Sequence, residues 1–509
     1  MRPSFSFVPA VIAFCAMLSL HSPVLAQEAK KPVEMSDSEQ AYAKGDFKTA
    51  IAVLKTLAAG GDALAQYRLA HMLIEGKGEE QDLPTAVEWL QKSADQGRAE
   101  ALTMLGRLYL DGKGVEPDPK LAASLFTRGA EKGNKTAQFY IGKLYRAGIG
   151  VEKNPAAAVP WLLAAANEEV AEAQFELGSM YAAGDGVEKD IAEAEKWFLR
   201  SAGNGFIAAQ YTLASNYARG SGFAKDENKA VEWYEKAAEN GLVKAQRELG
   251  GIYLTGIDGK PDYDAALKWY TRAAGNGDPV SQSNLAYMLA SGTGVGKDEA
   301  QAAKWYEQAA EKGYVRAQTA LALFYETGRG VEQNDEKAAY WYRAAAAAGY
   351  EPAAGKIGTM LVDGRADPAL DANAPRWIAA AAAAGLKPAI EWLETQAKDG
   401  SHEAEFQLAG LYAQGKGITA DTDRAVSLLQ AAADGGVAGA QLELAKRLAT
   451  GDGVPQDYIA AHKWANLAAI SGGEEAIKMR DTFAKLMTPD QVADAQKQAR
   501  EWVARSRQQ

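Results

Sequence analysis

The sequence predicts an all-α protein: a right-handed α-solenoid of about eleven 36-residue helix-turn-helix repeats, closed at each end by capping helices. The first observation behind this is a clock. Tryptophan recurs at Trp161, Trp197, Trp233, Trp269, Trp305, Trp341 and Trp377, each 36 residues after the last, and Trp89 and Leu125 extend the series backwards. After Trp377 it slips by 15 residues to Trp392, then resumes at Leu428 and Trp464. A single globular core needs no such period. A stack of like units does, because one helix pair cannot bury its own apolar face.

The second observation is the register around each Trp. Ala stands three residues before it, from Ala86 and Ala122 to Ala425 and Ala461, and again five after it, from Ala94 to Ala469. These spacings put Ala and Trp on one side of a helix, here helix B, where small residues let a neighbour approach closely. Seven before the Trp, Asp or Asn occurs in ten of eleven repeats, as an N-cap contributing about 1 kcal/mol. Gly usually follows eight after it, as at Gly97, Gly205 and Gly313, and ends the helix.

A second helix, A, precedes each loop. Ala137, Ile141, Leu144 and Tyr145 follow helical spacing and Gly148 stops the run; the equivalent glycine recurs from Gly76 and Gly112 to Gly415 and Gly451. Each unit is therefore helix A, a G-x-G-V loop that reverses the chain, and helix B.

The stretch Ala173-Gln174-Phe175-Glu176-Leu177-Gly178, with Tyr181, Gly184-Asp185-Gly186-Val187, Asp190, Ala194, Trp197-Phe198 and Ala202 to Gly205, resembles the consensus of the Sel-one-like repeat (SLR) family, relatives of the tetratricopeptide repeats. The resemblance covers nearly the whole chain after residue 26. It implies a binding scaffold without cofactor or catalytic activity, whose bacterial-envelope relatives serve as adaptors in signalling, secretion or exopolysaccharide assembly. It also implies that helix A lines the concave groove.

Residues 1–26 read as a secretory signal: Arg2, an apolar run from Val8 to Leu20, and Val24-Leu25-Ala26 before a cut at Gln27. The chain carries 55 Lys and Arg against 66 Asp and Glu, and excision of the leader removes Arg2 but no acid. Such a balance argues against a nucleic-acid partner, whose phosphates demand a basic footprint. The single cysteine, Cys15, leaves with the leader. No disulfide or thiolate site is then possible, which suits an oxidising compartment, the bacterial periplasm. No later segment is apolar enough to span a membrane.

The expected organisation is a flexible tether at 27–36, an N-terminal capping helix pair at 37–61, nine repeats at 62–385, a degenerate half-repeat at 386–400, two repeats at 401–472 and capping helices at 473–509. Repeat nine carries Leu370 in place of the capping Asp and Pro375 where helix B should be running, which makes Asn373 the expected cap. A kink or hinge is expected between about 364 and 400.

No catalytic constellation stands outside the repeat register. His71, His402 and His462 lie in different repeats and read as solvated surface residues. Gly292-Thr293-Gly294-Val295-Gly296-Lys297 approaches a phosphate loop but has Ser291 where glycine is needed and Asp298 where Ser or Thr is needed. What remains is surface. Transferring the related groove geometry points inward Tyr67, Phe139, Phe175, Tyr211 and Phe406, with His71, Arg107, Lys143 and Lys446; Arg146 and Arg219 lie one turn further, and Arg247 takes an aromatic position. This stripe is more basic than the chain and fits an acidic peptide or protein partner. The alternatives are a peptidoglycan or cell-wall glycan binder or hydrolase, and a structural factor that assembles with itself.

Overall fold

The computed structural model describes residues 34–506. The leader and most of the expected tether lie outside them. The end of that tether is helical: Met35 and Ser36 open the first helix, Met35–Ala43, whose Glu34 and Asp37 form a capping box. The described residues form 27 α-helices and one 3-10 turn, Pro368–Leu370, with a single isolated bridge between Ile257 and Lys260.

The chain divides between Asn204 and Gly205 into two compact units. In the first, the pair Met35–Ala43 and Phe47–Ala59 is followed by alternating A and B helices up to Ile191–Gly203. In the second, the alternation runs from Ile207–Arg219 to Tyr458–Ile470, and Glu474–Ala484 and Pro489–Ser506 close the array. Within each unit the repeat helices pack on their hairpin partners and on the next helix along, which is the stacking of an α-solenoid, and both closing helices pack on Tyr458–Ile470.

Local chemistry sets these boundaries. All ten of the expected Asp or Asn caps accept from a backbone N–H of the first turn of helix B, at 2.8–3.1 Å. Thr488 and Gln491 cap the last helix reciprocally. Asn373 does not cap with its side chain; its own N–H donates to Asp371 Oδ1 at 2.9 Å, and helix Ala374–Ala383 starts without a side-chain cap.

The loops do more than reverse the chain. A Cβ on Gly150 would lie 2.0 Å from the Pro119 carbonyl oxygen, and one on Gly330 2.1 Å from that of Glu299. The second loop glycine thus seats its backbone on the first turn of the preceding helix B, and forms a seam between successive repeats.

No Trp of the 36-residue series is exposed, in keeping with an inter-helix role. Trp197, Trp269, Trp377 and Trp464 are buried, and the others are half-buried. Several ring faces are covered by a cation, as by Lys92 on Trp89 at 4.0 Å and Lys236 on Trp233 at 3.9 Å.

A second ladder went unread in the sequence. The helix A glutamine donates through Nε2 to a carbonyl at the end of the preceding helix B: Gln174 to Ala166 at 2.9 Å, Gln246 to Ala238 at 3.1 Å, Gln318 to Ala310 at 3.1 Å. Its Oε1 then accepts from the residue that ends the following helix B: Asn204 to Gln174 at 3.0 Å, Asn276 to Gln246 at 3.2 Å. Each such glutamine ties two repeats. Where that last residue is Glu168 or Ala348, neither able to donate from its side chain, the Oε1 of Gln138 or Gln318 is buried without a partner. Gln282 is left the same way, because Lys312 donates to the Gly277 carbonyl instead. An unsatisfied buried acceptor costs about 1–3 kcal/mol. Ala348→Asn should therefore stabilise the protein by about 1 kcal/mol in urea denaturation. Ala348→Ser, too short to reach, should leave the midpoint unchanged.

The segment expected to hinge is filled. Helix Lys387–Lys398 enters with the N-cap geometry of an A helix, Leu386 at φ −73° and ψ 102°, and leaves like a B helix, through Asp399 and a positive-φ Gly400. One helix replaces a hairpin, which accounts for the 15-residue slip. It packs on both Ala374–Ala383 and His402–Gln414, which also touch each other. One hydrophobic cluster runs unbroken from Ala266 to Ala425 through Trp377, Ala389, Leu393 and Leu408.

Candidate partner-binding surface

In the first unit, helices Ala63–Glu75, Ala99–Asp111 and Lys135–Ala147 carry Tyr67, Arg107, Phe139, Lys143 and Arg146. Tyr67 and Phe139 are half-buried. Arg98 lies over the Tyr67 ring at 5.5 Å and Lys143 over Phe139 at 5.9 Å. Arg107 lies 5.8 Å from the centroid of Tyr140, a ring that Phe126 stacks on at 4.9 Å and Phe139 meets at 5.4 Å. Arg107 and Lys143 are exposed and take no carboxylate partner among the described residues. Arg146 is different: it is held between Glu176 and Asp185, and its charge is spent on the next repeat. Phe175 packs against Phe198 at 5.4 Å. The basic stripe of this unit therefore narrows to two free cations set among aromatic rings.

Beside it, a cleft of about 490 Å³ is lined by Tyr42, Leu54, Tyr67, Arg68, His71 and Met72. Its near wall is the first described helix, Met35–Ala43, and its far wall helix Ala63–Glu75. Arg68 pairs with Glu39 across it at 2.5 Å.

In the second unit, Tyr211 meets Tyr234 edge to face at 5.5 Å, and Lys244 lies 4.7 Å from its centroid, so the phenol ring is largely enclosed. Burial pushes the pKa of the Tyr234 hydroxyl up to about 12. Arg219 is exposed. Arg247 is tied to Asp278 at 3.2 Å and Glu248 at 3.5 Å. Lys446 pairs with Glu475 at 2.8 Å, and it borders, with Phe406, Gln407 and Gly410, a cleft of about 500 Å³. Two surface residues were missed by the sequence reading: Tyr287, 55% exposed, and Leu323, 36% exposed. They occupy the register of His71, Arg107 and Lys143, so the signal was a change from cation to apolar group at one repeat position.

His71 and His402 are partly exposed and sit beside Glu75 and Glu405. His462 is not a surface residue. It is buried with Nδ1 unpartnered, and burial, with Arg480 nearby, lowers its pKa. Among the described residues there is no cluster of His, Cys, Asp and Glu able to hold a metal, and no helix long and apolar enough to cross a membrane.

Stacked hairpins with a shared seam, a glutamine ladder and a side-chain-lined A face define a tandem helical-repeat protein of the α-solenoid class. A profile of the Sel1 repeat matches residues 63–97, 99–134, 135–169, 171–206, 207–242, 243–278, 279–314, 315–350, 402–437 and 438–473, more than half of the chain. The chain belongs to the Sel1 repeat family. The profile leaves 351–401, the irregular segment, unmatched.

Among solved structures, the protein is similar to c5321, a protective antigen of uropathogenic Escherichia coli strains that displays an SLR fold. The identity is 29%, the TM-score 0.58, and the match covers 89% of this chain and 94% of that one. It is also similar to a Sel1 repeat protein from Oxalobacter formigenes, at 32% identity and TM-score 0.44, over 48% of this chain and all of that one. No curated protein matches the sequence. Sel1 repeat proteins generally mediate protein–protein interaction and are generally non-enzymatic.

Proposed function

We propose that this chain is an exported, periplasmic scaffold that holds a partner protein or peptide on its helix A faces, as an adaptor in envelope signalling, secretion or exopolysaccharide regulation. The observation that carries the reading is the pair Arg107 and Lys143. Both are exposed, both lie against aromatic rings, and neither is neutralised, in a chain whose net charge is −11. A partner segment with a carboxylate and an adjacent apolar side chain fits them, because the acid gains an uncommitted cation while the apolar group covers ring surface. A basic segment would meet repulsion there.

The test is in-cell crosslinking with mass spectrometry, comparing wild type with Arg107→Glu/Lys143→Glu. Both side chains are exposed, so the helical circular dichroism should be unchanged. The expected result is loss of the principal crosslinked partner, at least about tenfold in yield. An unchanged set of partners would remove the cationic face from the function.

A further inference from the structure

The loop of the irregular ninth repeat borders a cleft against the preceding helix B. In the eighth repeat, Gly330, at φ +64°, presses its backbone on the Glu299 carbonyl at the start of the preceding helix B. One period later this position is Ala366, whose Cβ would meet Asp335 in the same way. The only described non-glycine residues with positive φ are Glu169 and Asp258, so Ala366 does not follow the path of Gly330. The loop takes another path, on which Gly364 has open space where a Cβ would be. A cleft of about 520 Å³ lies between helix Asp335–Ala347 and the loop, lined by Glu336, Ala339 and Arg343 on one side and Ala366, Asp367 and Leu370 on the other.

The charges around the cleft are unequal in what they have left to offer. Arg365 is committed to Glu326 at 2.9 Å, and Arg343 to Asp371 at 2.7 Å. Both arginines are consumed in tying the loop to the preceding repeat; Tyr342 also donates to Glu326, at 2.8 Å. Glu336 and Asp367 are exposed and have no cationic partner among the described residues. Leu370, which replaces the capping Asp of other repeats, is 84% exposed, and Tyr340, on the helix face between Glu336 and Arg343, is 61% exposed.

We infer that this cleft is a second docking site, and that its occupant is a basic, apolar segment of a partner protein. The two free carboxylates supply the charge complement, Leu370 and Tyr340 the apolar contact, and the Tyr340 ring can also receive a cation. An acidic segment would face two uncompensated carboxylates, and a purely apolar one would leave them desolvated without a partner. This site does not depend on the cationic A face of the first unit, and it selects the opposite charge.

The test uses the full mature chain and fluorescein-labelled peptides in fluorescence anisotropy at physiological salt. Gly-Lys-Leu-Phe-Lys-Gly should bind at least about tenfold more tightly than Gly-Glu-Leu-Phe-Glu-Gly or Gly-Lys-Ser-Ser-Lys-Gly. Glu336→Gln/Asp367→Asn, which keeps the Asp367 capping geometry, should weaken it at least about fivefold, as should Leu370→Ser. Ala366→Gly/Asp367→Val, which restores the loop sequence of the regular repeats and removes the Asp367 carboxylate, should weaken binding at least about fivefold while leaving the helical signal intact. Arg107→Glu/Lys143→Glu should not weaken it, which separates this site from the A face. Equal binding of the three peptides, or affinities in all three cleft variants within about twofold of wild type, would overturn the proposal.

Discussion

Gly330→Ala should destabilise the protein by about 3 kcal/mol or more, whereas Gly349→Ala should cost only about 1 kcal/mol. Both glycines have positive φ, +64° and +88°, so both variants carry the backbone strain of a left-handed alanine. They differ in what the new Cβ meets. At Gly349 there is nothing within 4 Å; at Gly330 it would fall 2.1 Å from the Glu299 oxygen and 2.2 Å from its carbonyl carbon. Backbone atoms at the start of a capped helix cannot move aside without opening the inter-repeat seam. Because repeats are coupled only to their neighbours, the damage should be local. Hydrogen exchange should show lost protection in helices Glu299–Glu311 and Val315–Thr327 before the rest of the second unit. Equal destabilisation by the two substitutions would show that the loop glycines serve chain reversal alone.

Trp377→Ala should cost about 3–5 kcal/mol, and Trp341→Ala appreciably less, although the two residues are one period apart in the same register. Trp377 is 3% exposed and belongs to the cluster that runs through the irregular segment, whereas Trp341 is only partly buried against that cluster. The helix that carries Trp377 is short, 10 residues, and begins without a side-chain cap, so little besides packing holds it. Deleting the indole removes the largest of the buried side chains that join helix Ala374–Ala383 to its neighbours. Urea denaturation followed by hydrogen exchange should show helices Ala374–Ala383 and Lys387–Lys398 opening as a unit. This also addresses the expected hinge: if the segment already flexes in the wild type, its amides should exchange fast without the substitution.

The repeat was legible because each of its parts is local. An Asp or Asn seven before the Trp caps a helix whatever lies around it, and a glycine in the left-handed region ends one; these need only the chain itself. Alanine at fixed spacing from Trp likewise declares a packed face. The irregular segment was legible as an irregularity, from Leu370, Pro375 and the 15-residue slip, but its form was not. How a broken repeat is bridged depends on whether a single helix can satisfy both neighbours, and Lys387–Lys398 does so by beginning as one helix type and ending as the other.

The surface was least legible. Arg146, Arg247 and Lys446 looked as available as Arg107 and Lys143. Their carboxylate partners stand a repeat away in sequence, as with Asp278 for Arg247 and Asp185 for Arg146, or on a capping helix, as with Glu475 for Lys446. His462 read as solvated because nothing in its immediate sequence announces that its ring is enclosed.

By itself, then, the sequence determined the period, the helix boundaries, the packed faces and the charge balance, because each follows from interactions within one or two turns of chain. Only the tertiary structure decided which cations remain free, which indoles are fully enclosed, how one helix replaces a hairpin, and where an alanine in place of a glycine sends a loop along another path. Those outcomes depend on which side chains from successive repeats come to share the same few ångströms, and that proximity is created by stacking.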